Sequence, residues 1–139
     1  MRMSRADVLL EAMLRRVDRT VSSLVADAET SDQLRRQARA IYFRVNPRQR
    51  RRVQVHHRVP LEWRGLFPGA DPNRLANLQG LATAAHRRKA SDLWDAFRAA
   101  YVRLGRAPRP AEVVQYAGVV DRSLDLPMWL PAPGAPAAG

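Results

Sequence analysis

The chain has three histidines in 139 residues, His56, His57 and His86, and all fall between positions 56 and 86. Random scatter seldom gathers them so closely. Imidazole has an ordinary pKa near 6.5, so it can take a proton from water at neutral pH. Its neutral form is also a ligand for divalent cations. Asn77 stands between the histidines, nine residues before His86. Together such groups could hold a divalent cation and move a proton from a water bound near it. Cations flank the histidines: Arg58, Arg87, Arg88 and Lys89 are candidate phosphate contacts. Taken singly, each residue has a plainer reading. His86 would cap or pack, Asn77 would make a turn, and the cations would be solvated. The ordered set is what points to chemistry.

The elements that must position these residues are legible from periodicity. Val53, Val55 and Val59 alternate with Gln54, His56 and Arg58, which reads as a strand ended by Pro60. A loop follows, with Gly65, Pro68, Gly69, Asp71, Pro72 and Asn73 as turn residues. Leu75 to Leu81 is expected to be a second strand or irregular backbone. Thr83 is an N-cap for a helix with His86 in its first turn and the stripe Leu93, Trp94, Phe97, Tyr101 and Leu104, closed by Gly105. Trp63 and Trp94 read as core. Pro108 and Pro110 introduce a last helix, Ala111 to about Ser123, burying Val113, Val114, Ala117 and Val120. Upstream, Ser4 and Asp7 resemble a weakened capping box. Leu10, Leu14, Val17, Val21 and Leu24 then form one apolar stripe. Ser31 and Asp32 are expected to restart a second helix, striped by Leu34, Ala38, Ile41 and Val45 and stopped at Asn46-Pro47. The two would make an antiparallel hairpin, serving as a lid or scaffold, or as a partner seam.

The expected architecture is therefore mainly α with a small β-hairpin. An N-terminal helical hairpin (1–46) precedes a strand–loop–strand–helix core (47–105), a C-terminal helix (106–126) and a Pro/Ala/Gly tail (127–139). The tail is expected to lack regular structure, or to be clipped to the surface by Met128 and Trp129.

Composition narrows the partners. Basic residues outnumber acidic by 24 to 13, a formal net charge of +11. Such a surplus favours a polyanion, nucleic acid first and an acidic protein or membrane surface second. Lys89 is the lone lysine, so part of the bias is arginine usage. Arg48, Arg50, Arg51 and Arg52 crowd into five residues, as a rail for a nucleic-acid backbone or as a solvated or protein-binding face. The absence of cysteine excludes disulfides, thiolate zinc sites and cysteine nucleophiles. No apolar run approaches the length of a membrane span. Charges at Asp7, Glu11, Arg15 and Arg16 interrupt any signal-like core, so a soluble chain is expected, with a place in a longer exported protein left open.

The stretch Val55-His56-His57-Arg58-Val59-Pro60, then Asp71-Pro72-Asn73-Arg74-Leu75-Ala76-Asn77-Leu78, then His86, resembles the HNH nuclease motif, the ββα-metal finger. The histidine doublet and the Asn-to-His interval are similar to those of colicin-type DNases. The wider run His57 to Trp63 resembles HNH-type toxin domains of bacterial polymorphic toxins, myxobacterial lipoprotein toxins among them. The resemblance covers about a third of the chain, roughly Arg52 to Phe97. It implies a metal-dependent endonuclease acting on DNA with little sequence preference, RNA being the alternative. His56 and His86 would bind the metal (Mg, Mn, Ni or Zn). His57 would be the general base, oriented by an Asn77 carbonyl. For a toxin it also implies an acidic immunity protein and action in the cytoplasm of a target bacterial cell.

One position departs from the pattern. Colicin-type enzymes carry a further His or Asn one turn after the helix histidine, and that place here is Ala90. Three readings stay open. Two histidines with water and substrate phosphate would hold the metal, or Glu62 or Asp71 would complete the site, or the site is weakened. In the last case the chain would be a nucleic-acid-binding or protein-interaction module on the same scaffold.

Overall fold

The computed structural model describes residues 2–126, and for 20–26 the backbone alone. The tail from 127, with Met128 and Trp129, lies outside the described residues. The chain divides into two compact units between Arg36 and Gln37.

One helix, α1 (Arg5–Val45), runs through that division. The expected break at Ser31-Asp32 does not occur, so there is no helical hairpin. Nothing in the segment forces a stop: no Gly or Pro lies between Met1 and Asn46, and Asp32 pairs with Arg35 along the helix surface at 2.7 Å. The start is capped as expected. Asp7 N donates to Ser4 Oγ, while Ser4 N and Ser4 Oγ both donate to the Asp7 carboxylate. Leu10, Leu14 and Val17 on the predicted stripe are more than half exposed.

In the second unit the last turns of α1 bury Ala38, Tyr42 and Phe43. Asn46-Pro47 ends the helix, as the Pro restriction requires. A short 3-10 turn, Pro47–Gln49, leads to strand β1 (Gln54–His57), which pairs antiparallel with β2 (Leu78–Leu81). The register sets His56 against Gln79 and His57 against Leu78. Between the strands, 3-10 turns occupy Leu61–Leu66 and Leu75–Asn77. The first half of the expected second segment is thus a turn and only its second half is a strand.

Helix α2 (Ala84–Leu104) begins at Thr83, whose hydroxyl accepts from His86 N, and ends on Gly105 in the left-handed conformation, φ +69°. Helix α3 is Pro110–Ser123. The hairpin is covered on both faces. Leu78 and Val55 meet Tyr42 and Phe43 of α1, whereas Leu81 joins Ala90, Trp94 and Phe97 of α2 and Val113, Ala117 and Val120 of α3. Trp94 lies edge-on to Phe97 and Tyr116, and Trp63 edge-on to Phe97. Both tryptophans are core or core-flanking, as their place in the pattern predicts.

Candidate functional site

Side chains alternate between the two faces of a strand. His56 therefore shares a face with Leu81, the face that α2 covers, and His57 shares the other with Leu78. Immediately after His57 the chain bends, at Arg58 and Val59.

His56 is enclosed. Burial first, then the charges of His57 and Arg58, pushes its imidazole down to about 4. It is a neutral base at physiological pH. Its Nε2 is shut off from solvent and has no hydrogen-bond partner among the described residues. A buried ring nitrogen without a partner is an uncompensated cost, and in the tautomer that leaves Nε2 unprotonated a cation would relieve it. That is the chemistry of a metal ligand, and it is the feature by which this residue fits one. His86 lies in the first turn of α2, partly buried, one turn ahead of Ala90 and on the same helix face. Ala90 is itself 4% exposed and packs in the main core. The face of α2 that carries His86 is thus the face turned to the interior.

His57 is held differently. Its Nε2 lies 2.8 Å from Asn73 Oδ1, and Asn73 is buried at the end of the loop. With the amide oxygen accepting, the ring proton sits on Nε2 and Nδ1 becomes the basic nitrogen. Asn73 is held in turn, its backbone N donating to Asp71 Oδ1 at 2.9 Å.

The resemblance implies that an Asn77 carbonyl orients His57, and the structure corrects this. Asn77 is 2% exposed and bonds to backbone alone. Its Oδ1 accepts from Val59 N, its Nδ2 donates to Val59 O and Pro72 O, and its main-chain O accepts from Arg58 N. It clamps the loop onto the bend after β1 and reaches the His57 ring only through that backbone. Asn73 is legible as a turn residue in Asp-Pro-Asn. Its contact with a side chain sixteen positions back is not.

Arg58 is likewise not a phosphate contact. It is 5% exposed. Its Nη1 pairs with Asp121 Oδ2 of α3 at 2.9 Å, and its Nη2 donates to Gln79 Oε1. Arg58 points to the side that α2 and α3 cover, so its charge is spent inside the fold. Arg88 and Lys89 are exposed, and Arg87 is partly buried with a long contact to Leu81 O.

Glu62 is not poised to complete a metal site either. Both its oxygens are taken by Arg98, at 2.6 and 2.8 Å. Among the described residues no group of three or more His, Asp or Glu is placed to hold a metal ion. Compared with protein-family models, curated proteins and solved structures, the chain matches none.

Proposed function

We propose that the chain is a metal-dependent endonuclease of the HNH type, cleaving DNA with little sequence preference, and that it acts as an antagonistic toxin domain in a bacterial cytoplasm. One observation carries the reading: adjacent histidines at the end of β1 have opposite environments. His56 turns a buried, unpartnered nitrogen toward the helix side. His57 is locked through Nε2 onto Asn73. A structural histidine pair has no need of that division, whereas a ligand next to a base does.

His56 and His86 would hold the divalent cation. When bound it would neutralise phosphate oxygens and stabilise the leaving 3′ oxygen. The remaining work falls to the protein. His57 Nδ1 takes a proton from the attacking water, the new P–O bond forms, and the P–O3′ bond breaks. Asn73 keeps the ring in the tautomer that leaves Nδ1 basic. Asn77 fixes the bend on which His57 sits. The surplus of positive charge draws the polyanion in and would equally speed encounter with an acidic immunity protein.

The test is incubation with supercoiled plasmid and with a single-stranded RNA, with EDTA or added Mg, Mn, Ni or Zn. Metal-dependent nicking of plasmid, abolished in His57→Ala, is expected. Its absence with every metal ends the enzymatic reading. Ala90 favours a second reading, because a core alanine stands where a ligand is expected. The scaffold would then bind nucleic acid without turnover, and binding would survive His57→Ala.

A further inference from the structure

The charge of the chain is unevenly placed. Residues 1–36 hold seven basic and six acidic side chains, and the remainder hold seventeen and seven. Between Asp32 and Glu62 there is no acidic residue at all, but nine arginines. Four of these, Arg48, Arg50, Arg51 and Arg52, occupy the turn from α1 into β1, and all four are exposed. Among the described residues none of the four makes an ion pair.

This turn is rigidly held. Tyr42 OH donates to Gln49 Oε1 at 2.5 Å and accepts from Gly80 N of β2 at 3.1 Å. Arg52 N closes the turn onto Gln49 O at 2.9 Å. Packing at Gly80 is tight: a Cβ there would stand 2.7 Å from Val53 Cγ2, 2.8 Å from Tyr42 OH and 3.0 Å from Gln49 Oε1. Arg51 keeps its side chain at φ +69°, a left-handed position that favours glycine. Strain of that kind, at an exposed residue with no internal contact to explain it, marks a side chain retained for something outside the fold.

We infer that the turn Arg48–Arg52 is a preformed clamp for the phosphodiester backbone of the nucleic-acid substrate, placed upstream of the histidines. The inference rests on the nuclease reading. From Val53 the strand runs extended to His57, about 13 Å at roughly 3.3 Å per residue. The turn therefore stands within a few phosphates of the histidines. A repeating series of phosphates suits four exposed guanidiniums held on one short turn. An acidic protein offers no such repeat, and it is the alternative that the experiment addresses.

The experiment reads binding alone, in EDTA, so that it does not depend on cleavage. Affinity for a 20-bp duplex and for a 20-nucleotide single strand is measured against salt. Three chains are compared: wild type, Arg48→Gln/Arg50→Gln/Arg52→Gln, and Arg5→Gln/Arg15→Gln/Arg19→Gln as an equal charge change elsewhere. Arg51 is spared because of its backbone conformation, and circular dichroism checks folding. Each arginine–phosphate pair removed lowers the duplex salt slope by about 0.9, so three lower it by about 2.7. Between 50 and 200 mM salt the affinity of the wild type should fall about 40-fold further than that of the turn variant. The control variant should follow the wild type. Equal effects of both triple variants would reduce the clamp to bulk charge and overturn it. So would wild-type cleavage with no change in binding for the turn variant, which would leave the nuclease reading standing. No binding to either nucleic acid would also overturn it and would leave the turn to an acidic protein. Failure of plasmid nicking with the slope difference intact would remove the enzyme and keep the clamp.

Discussion

Replacing Arg58 by Met tests how the bend after the histidines is anchored. The Arg58 and Asp121 side chains are 6% and 3% exposed, and they meet at 2.9 Å. The variant removes the cation and leaves the carboxylate inside. Asp121 Oδ1 already lacks a partner, and Oδ2 would be deprived of the Arg58 donor. Burial pushes the Asp121 carboxyl up from its usual range, and Arg58, then Arg122, pull against that push. Without Arg58 the upward push is nearly unopposed. Breaking one partner of a buried pair costs about 3–5 kcal/mol, a large part of an ordinary domain's stability of about 5–15 kcal/mol. A carboxyl whose folded pKa lies above its unfolded value makes the fold most stable at low pH, and that stability is lost as pH rises through the folded pKa. The deficit of Arg58→Met should accordingly be largest near neutrality and smaller at acid pH, where the carboxyl is protonated. Urea unfolding of both chains at the two pH values, with slopes checked for two-state behaviour, measures it. A deficit below about 1 kcal/mol at neutral pH, or the same deficit at both, would refute the account of a buried, desolvated pair. The double replacement Arg58→Met/Asp121→Leu should recover most of the stability, because no lone charge then remains.

Three further outcomes follow from the site. Asn77→Ala strands the buried N–H and C=O of Val59 and should cost about 3 kcal/mol in chemical unfolding, at about 1–3 kcal/mol for each unsatisfied group. Asn73→Ala should fold, yet, on the proposed nuclease function, lower metal-dependent nicking by about 10- to 100-fold through loss of the group that orients His57. Unchanged nicking would separate His57 from the chemistry. Ala90→His should not build a third ligand. The side chain would enter the packed cluster around Trp94 and cost about 1–3 kcal/mol, and isothermal titration should show no tighter metal binding than wild type.

The parts of the fold that are legible in the sequence rest on local signals. Thr83 and Gly105 bound α2 because an N-cap hydroxyl and a left-handed glycine act on their own turn. β1 is visible because valines alternate with polar residues over a few positions. The error in α1 comes from reading Ser31-Asp32 as a cap, although both residue types also sit inside helices whose side chains face water. The site is harder to read. Arg58 looks like its neighbours in the arginine-rich run, and only a carboxylate 63 positions away shows that it is structural. Asn73 and Asn77 are four residues apart in one loop. Which of them touches an imidazole and which touches backbone depends on how the loop folds over the bend, and no spacing rule carries that information.

Both faces of the hairpin are roofed by elements from outside the strand–loop–strand–helix segment. Tyr42 and Phe43 lie against one side, Val113 and Val120 against the other. The stretch that carries the histidines is consequently not a cassette. A graft of 47–105 onto another protein would bare Leu78 and strip the α3 side from the cluster around Leu81, so a transplantable piece has to run from Gln37 to the end of α3. Recombination between chains of this architecture would have to cross over in α1, ahead of Gln37, to exchange the hairpin together with both of its covers.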